Sequence, residues 1–156
     1  MLIIPGTKYI LLADDDEDDN ILFQEILDEL DLITQLETAN DGERLMQLLN
    51  EKELLPDILF LDLNMPRKNG FECLTEIKRA EKLKKLPVII FSTSYETETI
   101  NLLHKNGAHY YIRKPNDFTQ FKKIICQVLT LTLQKDILQP TREKFVLTHQ
   151  NSNDES

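Results

Sequence analysis

The sequence predicts one α/β domain, a doubly wound sheet of five parallel strands with five helices on its two faces. Two observations carry that expectation. Short apolar runs alternate with stretches of helical spacing, five times over and without any internal repeat. Such alternation implies parallel strands, because parallel neighbours are joined by crossovers and crossovers are right-handed. The apolar runs also end in polar residues of a particular kind: acids, a hydroxyl and a lysine.

Residues 1–7 are a lead-in with Pro5-Gly6 as a turn signal, and residues 9–13 form an apolar run that reads as a central strand. Six acids follow, Asp14 to Asp19. Ile21, Leu22, Glu25, Ile26, Glu29 and Leu30 then recur at helical spacing. Residues 34–39 form a weak second strand. Asn40-Asp41-Gly42-Glu43 has the spacing of a capping box and opens a helix bearing Leu45, Leu48 and Leu49. Pro56 stops that helix, and residues 57–61 are the third strand. Residues 70–82 read as a helix with Phe71, Leu74 and Ile77 inward and Cys73 alongside.

Pro87 ends a basic loop, and Val88-Ile89-Ile90-Phe91 is the clearest strand of the chain, followed by Ser92-Thr93-Ser94. A helix from about Tyr95 ends at Asn106-Gly107, a left-handed cap signal. Residues 109–113 form a fifth strand before Lys114-Pro115. Asp117 and Gln120 suggest another capping box, and Phe118, Phe121, Ile125 and Val128 line the last helix, with Leu129, Leu131 and Leu133 beyond them. After Gln134 the pattern weakens, Pro140 breaks it, and residues 150–156 have the composition of disorder. The expected organisation is a domain over 1–133 and a partly disordered C-terminal extension over 134–156.

Composition narrows the function. A chain of 156 residues with 41% hydrophobic residues fits one domain with a real core. Its net charge of −9 argues against direct nucleic-acid binding, which needs a basic face. No apolar run has the length of a membrane span and no signal peptide is evident, so a cytoplasmic location is expected. Cys73 and Cys126 make neither a disulfide framework nor a zinc cluster.

In an open α/β sheet, ligands bind at the carboxyl ends of the strands. Reading those ends in turn gives Asp14 and Asp15, then Asp62, then Ser92, then Lys114. Three carboxylates against one lysine leave about two uncompensated charges and call for a cation, and hard oxygen ligands suit Mg²⁺. A carboxylate beside Mg²⁺, a lysine and a hydroxyl is equipped to receive a phosphoryl group.

The residues at this point resemble the receiver domains of two-component response regulators, from about Lys8 to Leu133. The likeness rests on Asp14-Asp15, on Asp62-Leu63-Asn64-Met65-Pro66 followed by Asn69-Gly70, on residues 87–92, and on Tyr111-Ile112-Arg113-Lys114-Pro115. It implies a flavodoxin-like strand order of 2-1-3-4-5, which is the family's and is not read from spacing. It implies that Asp62 is phosphorylated by a sensor histidine kinase or a phosphotransfer protein. Asp15 would then be a direct Mg²⁺ ligand, Asp14 a ligand through water, and Asp62 and the Asn64 backbone carbonyl would complete the protein's share. Lys114 and Ser92 would contact the phosphoryl group, Tyr111 would be the aromatic switch, and the Lys114-Pro115 bond would be cis. Ser94 and Asn64 fall where the family tunes phosphate lifetime. The implied protein is a stand-alone signalling receiver, acting on no substrate besides its own phosphate. Its output partner is unidentified, and its switching face is one the family also uses for homodimers.

Rival readings fit less well. Asp14, Asp16, Asp18, Ile21 and Glu25 match an EF-hand loop at several positions, but Asp19 replaces the glycine such a loop needs. Asp16, Glu17, Asp18 and Asp19 read instead as acids favoured at the start of a helix. A haloacid-dehalogenase-type phosphatase wants an acid where Asn64 stands. His104, His109 and His149 are scattered and read as satisfied or solvated residues. Lys82, Lys84 and Lys85 read as a solvated loop, with docking of an acidic partner as the alternative. A receiver-shaped module that is never phosphorylated, or a phosphorelay intermediate, remain the alternatives for function.

Overall fold

The computed structural model describes residues 7–94, 96–133 and 138–148. Chain order is β1 (Lys8–Ala13), α1 (Glu17–Glu29), β2 (Thr34–Ala39), α2 (Gly42–Glu51), β3 (Ile58–Asp62) and α3 (Gly70–Arg79). It continues through β4 (Val88–Ser92), α4 (Thr97–Lys105), β5 (Tyr110–Arg113), α5 (Phe118–Thr132), α6 (Arg142–Phe145) and β6 (Val146–Leu147). All pairings are parallel, in the order β2-β1-β3-β4-β5-β6. The expected order 2-1-3-4-5 is present and gains a sixth strand from the C-terminal segment, together with a sixth helix of one turn.

Strand periodicity divides the core into two layers. Ile10, Leu12, Ile58, Phe60, Ile89, Phe91 and Ile112 face α1 and α5. Leu11, Leu59, Leu61, Ile90 and Tyr111 face α2, α3 and α4. The central strands β3 and β4 are buried throughout, as expected where helices cover both faces.

Several sequence expectations need correction. On α1 the buried stripe is Phe23, Ile26 and Leu27, while Ile21 is exposed. Phe23 sets that rotation by packing edge-on against Phe60, with ring centroids 4.8 Å apart. Asp41 rather than Asn40 caps α2, its carboxylate accepting from the Arg44 N–H at 2.8 Å. The reciprocal capping box lies instead at Asn69 and Glu72, at the start of α3. The fifth strand starts at Tyr110, α3 ends at Arg79, and residues 17–25, which an EF-hand loop would need open, belong to α1. The expected helix start at Tyr95, the lead-in at 1–6, His149 and the tail over 150–156 lie outside the described residues.

Other features match. Gly107 is left-handed (φ 98°) just after α4. Asp117 caps α5 by accepting from the Thr119 N–H, and the described residues lack the reciprocal Gln120 bond that the expected capping box would add. Cys73 and Cys126 are unbridged, and burial pushes the Cys73 thiol up to about 12. Lys82, read as solvated, donates to the Asn50 and Lys52 carbonyls and closes the end of α2.

Residues 138–148 pack against α4 and β5. Gln139 Nε2 donates to the His104 and Ala108 carbonyls at 2.6 and 2.8 Å, His104 Nε2 lies 2.8 Å from the Pro140 carbonyl, and Arg142 Nε donates to Asn101 Oδ1. Phe145 is fully buried, its ring 5.0 Å from that of His104 and 6.4 Å from that of Tyr111. Val146 and Leu147 then pair with Tyr111 and Ile112.

Candidate functional site

Four strands deliver the site. β1 ends at Ala13 and hands over Asp14 and Asp15; β3 ends on Asp62, β4 on Ser92, and β5 is followed by Lys114. Asp14 is fully buried and Asp62 is 6% exposed, depths at which a lone carboxylate would be costly. Each therefore has a backbone donor: Asp16 N–H to Asp14 Oδ1 at 3.0 Å, and Asn64 N–H to Asp62 Oδ1 at 3.3 Å. The loop after β3 folds back tightly, with Gly70 N–H on the Leu63 carbonyl. A Cβ at Gly70 would meet the Asp62 carbonyl oxygen at 2.4 Å, so only glycine starts α3 this close to the acid.

Asp14, Asp15 and Asp62 bring carboxylate oxygens within 4.8 Å of one another. The Lys114 ammonium sits among them, 3.2 Å from Asp14 Oδ2, 3.7 Å from Asp62 Oδ2 and 4.6 Å from the Phe91 ring centroid. A fourth carboxylate joins at shorter range, Asp19 Oδ2 at 2.8 Å. Burial raises the carboxyl pKa of both Asp14 and Asp62 above the ordinary carboxylate range, more than the nearby ammonium can offset. Burial opposes the charge on Lys114 too, but the surrounding carboxylates hold its pKa up.

This donor set fits a hard divalent cation: the oxygens converge, the charge is unbalanced, and the cleft is open, with a volume of about 390 Å³. Asn64 lines the same cleft. Ser92 is fully buried at the strand end with its Oγ accepting from Ser94 N–H at 3.1 Å, and Thr93, which the sequence reading passed over, reaches the cleft instead. Tyr111 is buried, and its hydroxyl donates to the Ser94 carbonyl at 2.5 Å.

The Lys114-Pro115 peptide is trans, against the cis bond that the resemblance implied; the described residues contain no cis peptide. Trans is favoured at an X-Pro bond by about 0.5–1 kcal/mol unless packing overrides it. Here Lys114 already has its backbone N–H on the Ser92 carbonyl at 2.9 Å and its ammonium among the acids.

A doubly wound sheet with an acidic triad and a lysine at its carboxyl edge defines a class of phosphoacceptor signalling domains. Residues 10–126 match the response regulator receiver domain family, and the chain belongs to it. Among curated proteins it is 31% identical over 123 residues to the response regulator Rcp1 of Synechocystis sp., covering 76% of this chain and 84% of that one. It is 28% identical to a probable methanogenesis regulatory protein, FilR2, of Methanothrix harundinacea, covering 76% and 79%. The phosphorylated cyanobacterial phytochrome response regulator RcpA superposes with a TM-score of 0.78 at 31% identity, covering 86% of this chain and all of that one. The Mn²⁺-bound form of Rcp1 gives 0.73 at 28% identity, covering 86% and 99%. Among the described residues no helix is long and apolar enough to cross a membrane.

Proposed function

We propose that Asp62 accepts a phosphoryl group from the phosphohistidine of a sensor histidine kinase or phosphotransfer protein, and that the modified chain signals by changing which protein it binds. The observation that carries this reading is the convergence of Asp14, Asp15 and Asp62 within 4.8 Å, with the Lys114 ammonium 3.7 Å from Asp62. An Asp62 carboxylate oxygen attacks phosphorus as the P–N bond to the donor imidazole breaks. Lys114 offsets charge on the transferring oxygens, and its place against Phe91 keeps it at the rim of the cleft. Asp15, Asp14 through water, Asp62 and the Asn64 backbone carbonyl are the groups that would hold Mg²⁺, which supplies further neutralisation of those oxygens. Later attack of water on phosphorus frees Asp62 and resets the signal, so the only chemistry assigned to the chain is on its own carboxylate.

Ser92 turns towards the phosphoryl group and Tyr111 follows. A continuous path supports that order: Ser92 Oγ accepts from Ser94 N–H, and the Ser94 carbonyl accepts from the Tyr111 hydroxyl. The movement reaches the face made by α4, β5 and α5, where Phe145 of the 134–156 extension lies against Tyr111. An output partner, or a second copy of the chain, meets the receiver core over 1–133 there. The acidic charge of −9 supports a protein partner over nucleic acid, and the reading places the chain in the cytoplasm, where Cys73 and Cys126 stay reduced.

Intact-protein mass spectrometry after incubation with acetyl phosphate tests the proposal. Wild type should gain one Mg²⁺-dependent phosphate and Asp62→Asn none, with the mutant still folded. Uptake by the mutant would show that another acid is the acceptor.

A further inference from the structure

Lys114 is held most closely by an acid that no part of the proposed phosphoryl transfer uses. Its ammonium lies 2.8 Å from Asp19 Oδ2 and 3.2 Å from Asp14 Oδ2, both within hydrogen-bond range, whereas Asp62 Oδ2 at 3.7 Å is outside it. Asp19 differs from its acidic neighbours in placement. Asp16 is spent as the cap of α1, accepting from the Asp18 and Asp19 N–H groups, and Glu17 and Asp18 are exposed. Asp19 stands four residues before Phe23, and seven and eight before Ile26 and Leu27, so it heads the buried stripe of α1. The stripe that packs the helix on the sheet thus carries a carboxylate under the rim of the cleft, where its side chain is 27% exposed.

We propose that Asp19 is a positioning residue that holds the Lys114 ammonium on the α1 side of the cleft, and so sets how readily a phosphoryl group on Asp62 recruits it. The inference rests on the phosphoacceptor reading of Asp62. A charge-assisted bond of this length is about twice as strong as a neutral one. A phosphoryl group brings up to about two negative charges and must win the ammonium from a partner that already has it. Asp19 therefore lowers the affinity of the site for a tetrahedral anion on Asp62. An acid that served only the positive end of α1 would leave that affinity unchanged.

The test is the apparent affinity of the full chain for beryllofluoride, a mimic of aspartyl phosphate, in saturating Mg²⁺, followed by ¹⁹F NMR and calorimetry. Asp19→Asn should bind about fivefold more tightly than wild type, the scale of a partly exposed ion pair. Asp18→Asn, which removes the same charge one residue away, should stay within about twofold, and Asp19→Glu, which keeps a carboxylate within reach of Lys114, should do the same. Unchanged or weaker binding by Asp19→Asn overturns the proposal. So does an equal gain in Asp18→Asn, which would make it a matter of net charge, or an equal gain in Asp19→Glu. If wild type itself binds no beryllofluoride, the phosphoacceptor reading falls first and takes this inference with it; a wild type that binds, with a flat response at Asp19, removes the inference alone.

Discussion

The cleft at the end of β3 and the seat of Phe145 beside β5 belong to one sheet but are built on opposite terms. In the cleft, Asp14 and Asp62 are buried beside a single ammonium, and burial works against their charge. At the seat, an uncharged ring is enclosed by Tyr111 and His104, and the polar groups leading to it are matched through Gln139, Pro140 and Arg142. One region holds carboxylates where burial works against their charge; the other is closed by an uncharged ring and matched polar groups. The difference teaches where to look for function: where local rules of burial are broken, not where packing is best.

That contrast can be broken most forcefully at Phe145. Phe145→Ala should cost about 3 kcal/mol in chemical denaturation, the usual loss for a fully buried aromatic. A cost under about 1 kcal/mol would mean that the seat does not belong to the cooperative fold.

A smaller, pH-dependent effect sharpens the same side. His109 opens onto β5 near the Gln139 anchor at Ala108 and is buried, with Nδ1 accepting from Val88 N–H at 3.4 Å. Burial, with Lys78 nearby, pushes its pKa down to about 4 from 6.5. The unfolded chain thus takes up the proton first. Its contribution to stability is complete above about pH 6.5 and is lost as pH falls towards 4, by roughly 2–3 kcal/mol. The difference between wild type and His109→Gln across that window isolates this contribution from the carboxylates; a flat difference would show that His109 ionises freely in the fold.

The smallest effect should have the opposite sign. Asp62→Asn removes a buried charge and should stabilise the metal-free protein by about 1 kcal/mol, the scale on which relieving a functional site adds stability. Mg²⁺ should raise the melting temperature of wild type and have much less effect on the mutant. A mutant less stable than wild type would mean that the cleft is not under electrostatic strain.

The parallel sheet, and the standing of Asp14, Asp15, Asp62, Ser92 and Lys114 at its strand ends, were legible because strands buried on both faces read as apolar runs and the topology aligns their ends; that Ser92 is buried while Thr93 reaches the cleft was not. Asp19 was hidden by its company, since among the acids that open α1 only the helix rotation fixed by Phe23 separates Asp19, which turns inward, from Glu17 and Asp18, which face water. The sixth strand was hidden for a different reason. Two residues have no period, Pro140 looks like a terminator, and one phenylalanine carries the anchoring. The trans Lys114-Pro115 bond lay beyond sequence altogether, because the two isomers differ by so little that tertiary context decides.

The shortness of that last strand has a consequence for assembly. Without it, β5 would show a row of unpaired amides and carbonyls to any extended chain, the usual template for edge-to-edge aggregation. With it, the border of the sheet on this side is only Val146–Leu147 among the described residues, too brief a rung for another strand to climb. On the described residues, a protein that docks on this flank would meet side chains of α4, α5 and α6 and few free main-chain groups.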